Sequence, residues 1–330
     1  MSLSTNGFDQ PKNDQSVLEQ LKKFTVVVAD TGDFHSIQQY EPRDATTNPS
    51  LILKAATDDR YSELVDEVVF NARKRGVSNV EAVMDDLLVK FGVCILDIVP
   101  GRVSTEVDAR LSFDLEGSLK KARELIGLYE KLGYPRERVL IKLATTWEGI
   151  EVSRILEKEG IHCNMTLLFS MVQAVACAEA NSQLISPFVG RILDWFREKT
   201  GEEYKGSEDP GVRSVTKIYH YYKKFDYPTE VMAASFRNTD EIKELAGCDL
   251  MTIGPKFLEE MQNDYSNLSL KLSSETSVER EIDKIEVNEA SFRFEMNQNE
   301  MANFKLAEGI RKFSNDVQSL SDLLSQKLRK

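Results

Sequence analysis

The chain has 330 residues, 41% of them hydrophobic and 29% charged, an ordinary globular composition at the upper edge of one domain. Its formal net charge of −12 disfavours nucleic acid and anionic membranes as partners, since both need a positive footprint. No run approaches the roughly 18–20 apolar residues of a membrane span, and the polar amino-terminal stretch lacks the apolar centre of a secretory leader, so a cytoplasmic address is expected.

Residues 13–23 read as a short amino-terminal helix. A first apolar run, 24–29, ends at Asp30, and a second, 45–48, ends in Thr47 and Asn48. The stretch 49–101 that follows reads as several helices. Further apolar runs stand at 102–107, 139–144, 163–169, 184–189, 230–235 and 250–253, with helical periodicity between them, as at 117–132, 147–159, 171–180 and 239–246. Some helices end in glycine, as at Gly133 and Gly160, which suits a left-handed carboxyl cap. Residues 266–281 are polar and read as a loop. Beyond them the expected helical extension covers 282–328, where Leu306, Ile310, Phe313, Val317, Leu320, Leu324 and Leu328 form one apolar stripe. That stripe suits packing against the rest of the chain or, alternatively, a partner helix.

Eight strand-like runs alternating with helices predict parallel strands joined by crossovers, and eight such units close into a (β/α)₈ barrel (a TIM barrel). An open doubly wound sheet is the second reading. It usually carries a glycine-rich first turn, and here residues 29–33 read ADTGD instead. The whole chain, 1–330, is therefore expected to be one barrel domain with added helices.

On such a barrel the strand carboxyl ends face the active site. Lys142 is the sharpest feature, because it interrupts the apolar run 139–144 and would be costly to bury as an unpaired ammonium. Two readings stand side by side: a buried ion pair with Glu106, or an amine freed to act as a nucleophile. Asp30 and Glu106 end other strands and are candidates for proton transfer. Asn48, Asn164, Thr166 and Ser186 end strands with neutral polar groups. Arg191, with Phe188 before it, and Arg237, with Ser235 before it, follow the sixth and seventh strands, where barrels often bind phosphate. Cys94, Cys163, Cys177, Cys248, His35, His162 and His220 are dispersed without metal-ligand spacing, so no metal and no organic cofactor is expected.

Seven stretches together carry a family resemblance: VADTGD (28–33), DATTNPSL (44–51), GRVSTEVDAR (101–110), IKLA (141–144), NMTLLFS (164–170), ISPFVGR (185–191) and ASFRN (234–238). Over nearly its whole length the chain resembles the class I transaldolases of the pentose phosphate pathway. The resemblance implies a Schiff-base lysine at Lys142 and a proton-exchanging carboxylate at Asp30. It implies a water held by Glu106 and Thr166, groups orienting a three-carbon fragment at Asn48, Asn164 and Ser186, and a phosphate site at Arg191, Ser235 and Arg237; Phe188 is a further expected substrate-binding residue. It further implies sugar phosphates as substrates, no cofactor, and a homodimer.

Overall fold

The computed structural model describes residues 13–329. Eight parallel strands form a closed barrel in sequential order: β1 (Val26–Asp30), β2 (Asp44–Thr46), β3 (Val103–Glu106), β4 (Val139–Ala144), β5 (Cys163–Leu168), β6 (Leu184–Pro187), β7 (Glu230–Ala233) and β8 (Leu250–Ile253), with β1 pairing β8. The strands are buried on both faces, which is why they read as near-continuous apolar runs. The amino-terminal segment on which the leader expectation partly rests lies, over residues 1–12, outside the described residues.

Side chains alternate along a strand, so residues two apart share a face. Inside the barrel Val28, Leu140, Leu184, Met232 and Leu250 form an apolar layer. Two residues further along the same strands stand Asp30, Lys142, Ser186, Ala234 and Thr252, and all of them line one cavity. The floor of the site is thus hydrocarbon and the next layer is polar. Below that floor, Arg102 pairs with Asp44 at 3.0 Å and with Glu230 at 2.7 Å, closing the amino-terminal end.

Several helices that follow barrel strands start at a polar residue that caps them. Asn48 accepts from Leu51 N, Thr146 from Gly149 N and Asn238 from Glu241 N, while Ser170 and Gln173 form a reciprocal capping box. These caps fix where the chain leaves the barrel rim, and with it the polar residues on either side.

Several expected boundaries move. β2 is 44–46, so Thr47 and Asn48 lie beyond it, and Asn48 is a helix cap. β6 ends at Pro187, and a helix begins at Val189, which places Arg191 in its first turn. β7 ends at Ala233, and Ser235, beyond it, adopts a left-handed backbone (φ 62°) typical of a turn. The polar stretch read as a loop holds a short helix, Ser274–Val278, capped by Ser273. The helix Val17–Leu21 falls within the expected amino-terminal helix.

The stretch between β2 and β3 contains the helices Pro49–Ala56, Ser62–Lys74 and Val80–Leu96. The carboxyl-terminal helix, Glu300–Arg329, lays Val317, Leu320 and Leu324 against Ile52, Leu87 and Phe91 of that group. The apolar stripe is therefore spent within the chain. Among the described residues no helix is long and apolar enough to cross a membrane.

Candidate active site

Parallel register brings three polar side chains into one row across adjacent strands: Glu106 of β3 is level with Lys142 of β4, and Lys142 with Asn164 of β5. Lys142 Nζ lies 3.0 Å from Glu106 Oε2 and donates to the backbone carbonyl of Thr47 at 3.0 Å. Both side chains are buried, 6% and 4% exposed. The ion pair that the sequence left open therefore exists, with Lys142 in the polar layer that lines the cavity.

Asp30 ends β1 on the opposite wall. Thr46 Oγ1 donates to its Oδ1 at 3.1 Å, and Thr46 Oγ1 is itself 2.6 Å from Thr252 Oγ1. Burial pushes the Asp30 carboxyl above its ordinary value, and the Lys142 charge opposes that push. The Glu106 carboxyl is raised for the same reason, again against Lys142. Two carboxyls that hold protons more readily than usual thus flank one lysine, which is the equipment for shuttling protons.

The remaining groups form a short relay. Ser186 Oγ donates to Asn164 Oδ1 at 2.5 Å, and Asn164 Nδ2 donates to Ser104 Oγ at 3.0 Å. The chain of bonds fixes the orientation of the Asn164 amide in a fully buried position. Thr166 follows Asn164 on the same face of β5, level with Ala144; its Oγ1 is buried with no hydrogen-bond partner among the described residues. A buried hydroxyl so placed can accept or donate one bond to a bound molecule. Asn48 spends its Oδ1 on the helix cap and still lines the cavity. The Phe188 ring packs edge-on against Phe169 at 5.5 Å between centroids and walls the cavity beside Ser186.

The two arginines behave differently. Arg237 is half-exposed and bidentate to Asp194, with Nε to Oδ1 at 3.1 Å and Nη2 to Oδ2 at 2.7 Å; its Nη1 also donates to Ser235 O at 3.2 Å. Arg191 lines the cavity and forms no ion pair or hydrogen bond with any described residue. Burial, and then the charge of Arg237, hold its guanidinium below the ordinary value. Two cations drawn together at one rim is a repulsive arrangement that an anion relieves.

Gly190 makes the corner possible, since a Cβ there would stand 2.5 Å from both Ser235 O and Arg237 Cγ. Behind the corner, Arg237 N donates to Glu241 Oε2 at 2.6 Å, and Glu241 interacts with the Asp209 carboxyl. Burial first, and the Asp209 charge after it, push the Glu241 carboxyl up to about 7. In the unfolded chain a Glu carboxyl titrates near 4.3. The folded state therefore keeps a proton that the unfolded chain has lost, and stability falls as pH rises through that window. Glu241→Gln mimics the protonated form. Its Tm is expected to equal the parent's near pH 5 and to exceed it by about 3 °C or more at pH 8; the same offset at both pH values would contradict this assignment.

Candidate residues absent from the sequence-based set are Thr46 and Thr252, which orient Asp30, Asp194 and Glu241, which hold Arg237, and Phe313, whose ring lies against Arg191. Thr252 was within reach, because it alternates with Leu250 on the inward face of β8. The others depend on tertiary contact alone. A larger cavity, about 310 Å³, lies on the far side of Glu106 and Asn48, walled by Ile52, Met84, Leu125 and Leu320. Glu106 lines it, but Lys142, Asp30 and Thr166 line the smaller cavity instead.

Two comparisons bear on this arrangement. Residues 27–324 match the family model described as "Transaldolase/Fructose-6-phosphate aldolase". The chain is also 58% identical over 320 residues to a protein named transaldolase from Thermosynechococcus vestitus, an alignment covering 95% of this chain and 82% of that relative.

Proposed function

We propose that this chain, which belongs to the transaldolase/fructose-6-phosphate aldolase family, transfers a dihydroxyacetone unit from sedoheptulose 7-phosphate to glyceraldehyde 3-phosphate. The products are erythrose 4-phosphate and fructose 6-phosphate, and the carrier is an imine on Lys142. The observation that carries this reading is the buried Lys142 between two carboxyls of raised pKa, Asp30 and Glu106.

Lys142 Nζ, having passed a proton to Glu106 at 3.0 Å, adds to the ketose carbonyl. The carbinolamine then loses water, with the proton returned by Glu106 through a water that Thr166 Oγ1 also binds. Asp30 removes the proton from the C4 hydroxyl as the C3–C4 bond breaks; the bonding electrons pass into the iminium and leave an enamine, and the first aldose departs. An acceptor aldehyde reverses these steps: the new carbon–carbon bond forms, Asp30 returns its proton to the new hydroxyl, and water frees the ketose. Asn48, Asn164 and Ser186 orient the three-carbon hydroxyls, while Phe188 keeps that side of the pocket poor in proton donors. Arg191, Ser235 and Arg237 receive the phosphate. The scheme itself needs no metal or organic cofactor.

A transaldolase differs from a simple aldolase in holding the enamine until an acceptor arrives. The test is free dihydroxyacetone measured from fructose 6-phosphate with and without erythrose 4-phosphate. The expected result without acceptor is about one equivalent of glyceraldehyde 3-phosphate per enzyme and no sustained release of dihydroxyacetone, and with acceptor sustained turnover to sedoheptulose 7-phosphate. Sustained release without acceptor would make the enzyme an aldolase on the same lysine. A place in the pentose phosphate pathway, a cytoplasmic address and a homodimeric state complete the proposal; sedimentation of the purified chain checks the last.

A further inference from the structure

Arg191 is carried by the first turn of the helix Val189–Thr200 and reaches into the cavity that holds Lys142. Its guanidinium carbon lies 4.7 Å from the Phe188 ring centroid and 5.5 Å from that of Phe313. Phe313 belongs to the carboxyl-terminal helix and is 1% exposed. One turn earlier, Gly309 allows that helix to lie against the barrel rim. A Cβ at Gly309 would stand 2.5 Å from Leu167 Cδ2 and 3.3 Å from Arg191 Nη1. Leu167 itself has a left-handed backbone (φ 55°) at the register shift of β5 against β6, which turns its side chain toward the helix.

The contrast with Arg237 is informative. Asp194 holds Arg237 through two hydrogen bonds and consumes part of its charge. No carboxylate does this for Arg191 among the described residues, yet its guanidinium is confined. An aromatic face attracts a guanidinium without offering an acceptor to its N–H groups, so the five donors stay free for an anion. A carboxylate in the same place would compete with a bound phosphate for those donors.

We propose that Phe313 is a positioning residue for the anion subsite: with Phe188 it sandwiches the Arg191 guanidinium, and the close seat of the carboxyl-terminal helix at Gly309 holds Phe313 in place. The helix at the far end of the chain thereby becomes part of substrate selection and does more than cover the barrel wall. The inference rests on the reading of Arg191 as a phosphate-binding group.

The test compares Phe313→Leu, Phe313→Tyr, Arg191→Ala and the double variant of Phe313→Leu with Arg191→Ala. The readouts are KM for fructose 6-phosphate, kcat, and the inhibition constant of inorganic phosphate competing with that ketose. KM and the inhibition constant do not depend on the folded fraction, so a less stable variant still reports. Leu keeps an apolar side chain but removes the ring, and Phe313→Met, which also fills the space, serves as a second version.

Phe313→Leu is expected to raise both KM and the phosphate inhibition constant about five- to tenfold with kcat within about twofold. Phe313→Tyr, which keeps the ring, is expected to stay within about twofold of the parent on both constants. In the Arg191→Ala background Phe313→Leu is expected to add less than about twofold, because its target is gone. An unchanged phosphate inhibition constant in Phe313→Leu, beside a raised one in Arg191→Ala, overturns the inference and leaves the anion reading standing. A full additive effect in the double variant overturns it as well. An unchanged inhibition constant in Arg191→Ala overturns the anion reading, and the inference with it.

Discussion

Replacing Lys142 with Ala or Arg is expected to lower kcat by at least about 10⁴-fold, down to background, because in the proposed mechanism both remove the nucleophile on which every covalent step depends. The arginine variant is the sharper of the two. It keeps a cation beside Glu106, which lies 3.0 Å from Lys142 Nζ in the parent, so the buried carboxyl is not stripped of its partner. Guanidinium stays protonated, however, and cannot attack a carbonyl. A merely structural Lys142–Glu106 pair would tolerate Arg with most of its activity intact, whereas a nucleophilic lysine loses all of it. Steady-state turnover of fructose 6-phosphate with erythrose 4-phosphate separates the two, provided the variant's circular dichroism matches the parent's.

The second large effect concerns Asp30. Asp30→Asn preserves shape and can still accept the bond from Thr46 Oγ1, which is 3.1 Å long in the parent. In the proposed mechanism it removes the group that takes the proton from the sugar hydroxyl. The expected fall in kcat is about 10²- to 10⁴-fold, the usual cost of losing a positioned general base. Imine formation, which depends on Glu106 and Lys142, should survive. Borohydride reduction of Asp30→Asn with fructose 6-phosphate is therefore expected to leave the whole six-carbon ketose phosphate on the protein, since cleavage is blocked after the imine forms. A three-carbon adduct in that variant, formed at the parent's rate, would remove Asp30 from the cleavage step.

How much of this could be read in the sequence depends on the range of the interaction that determines it. The barrel was legible because strands buried on both faces leave apolar runs, and eight of them alternate with amphipathic helices. Lys142, Asp30 and Glu106 stood out for a related reason: a charge inside an apolar run is costly and asks for a partner. Their meeting follows from register, which joins Glu106 to Lys142 across β3 and β4. The strand ends were harder, since caps decide them. Asn48 looked like strand and is a helix cap, and Ser235 looked like strand and is a left-handed turn residue. Least legible were the groups that hold other groups. Asp194 and Glu241 grip Arg237, and Phe313 backs Arg191 from a helix at the other end of the chain. No local pattern distinguishes that phenylalanine from its apolar neighbours on the stripe. The stripe itself was legible as amphipathic, but which surface it covers was decided by the helices between β2 and β3.

The central claim is that the amine of Lys142 carries the transferred fragment. It is tested most directly by reducing the enzyme with borohydride in the presence of fructose 6-phosphate and mapping the modified peptide by mass. The expected result is a single three-carbon unit on the peptide that contains Lys142, absent from Lys142→Ala and absent when the ketose is omitted. An equal adduct in Lys142→Ala, or turnover in the parent with no adduct on that peptide, would contradict it.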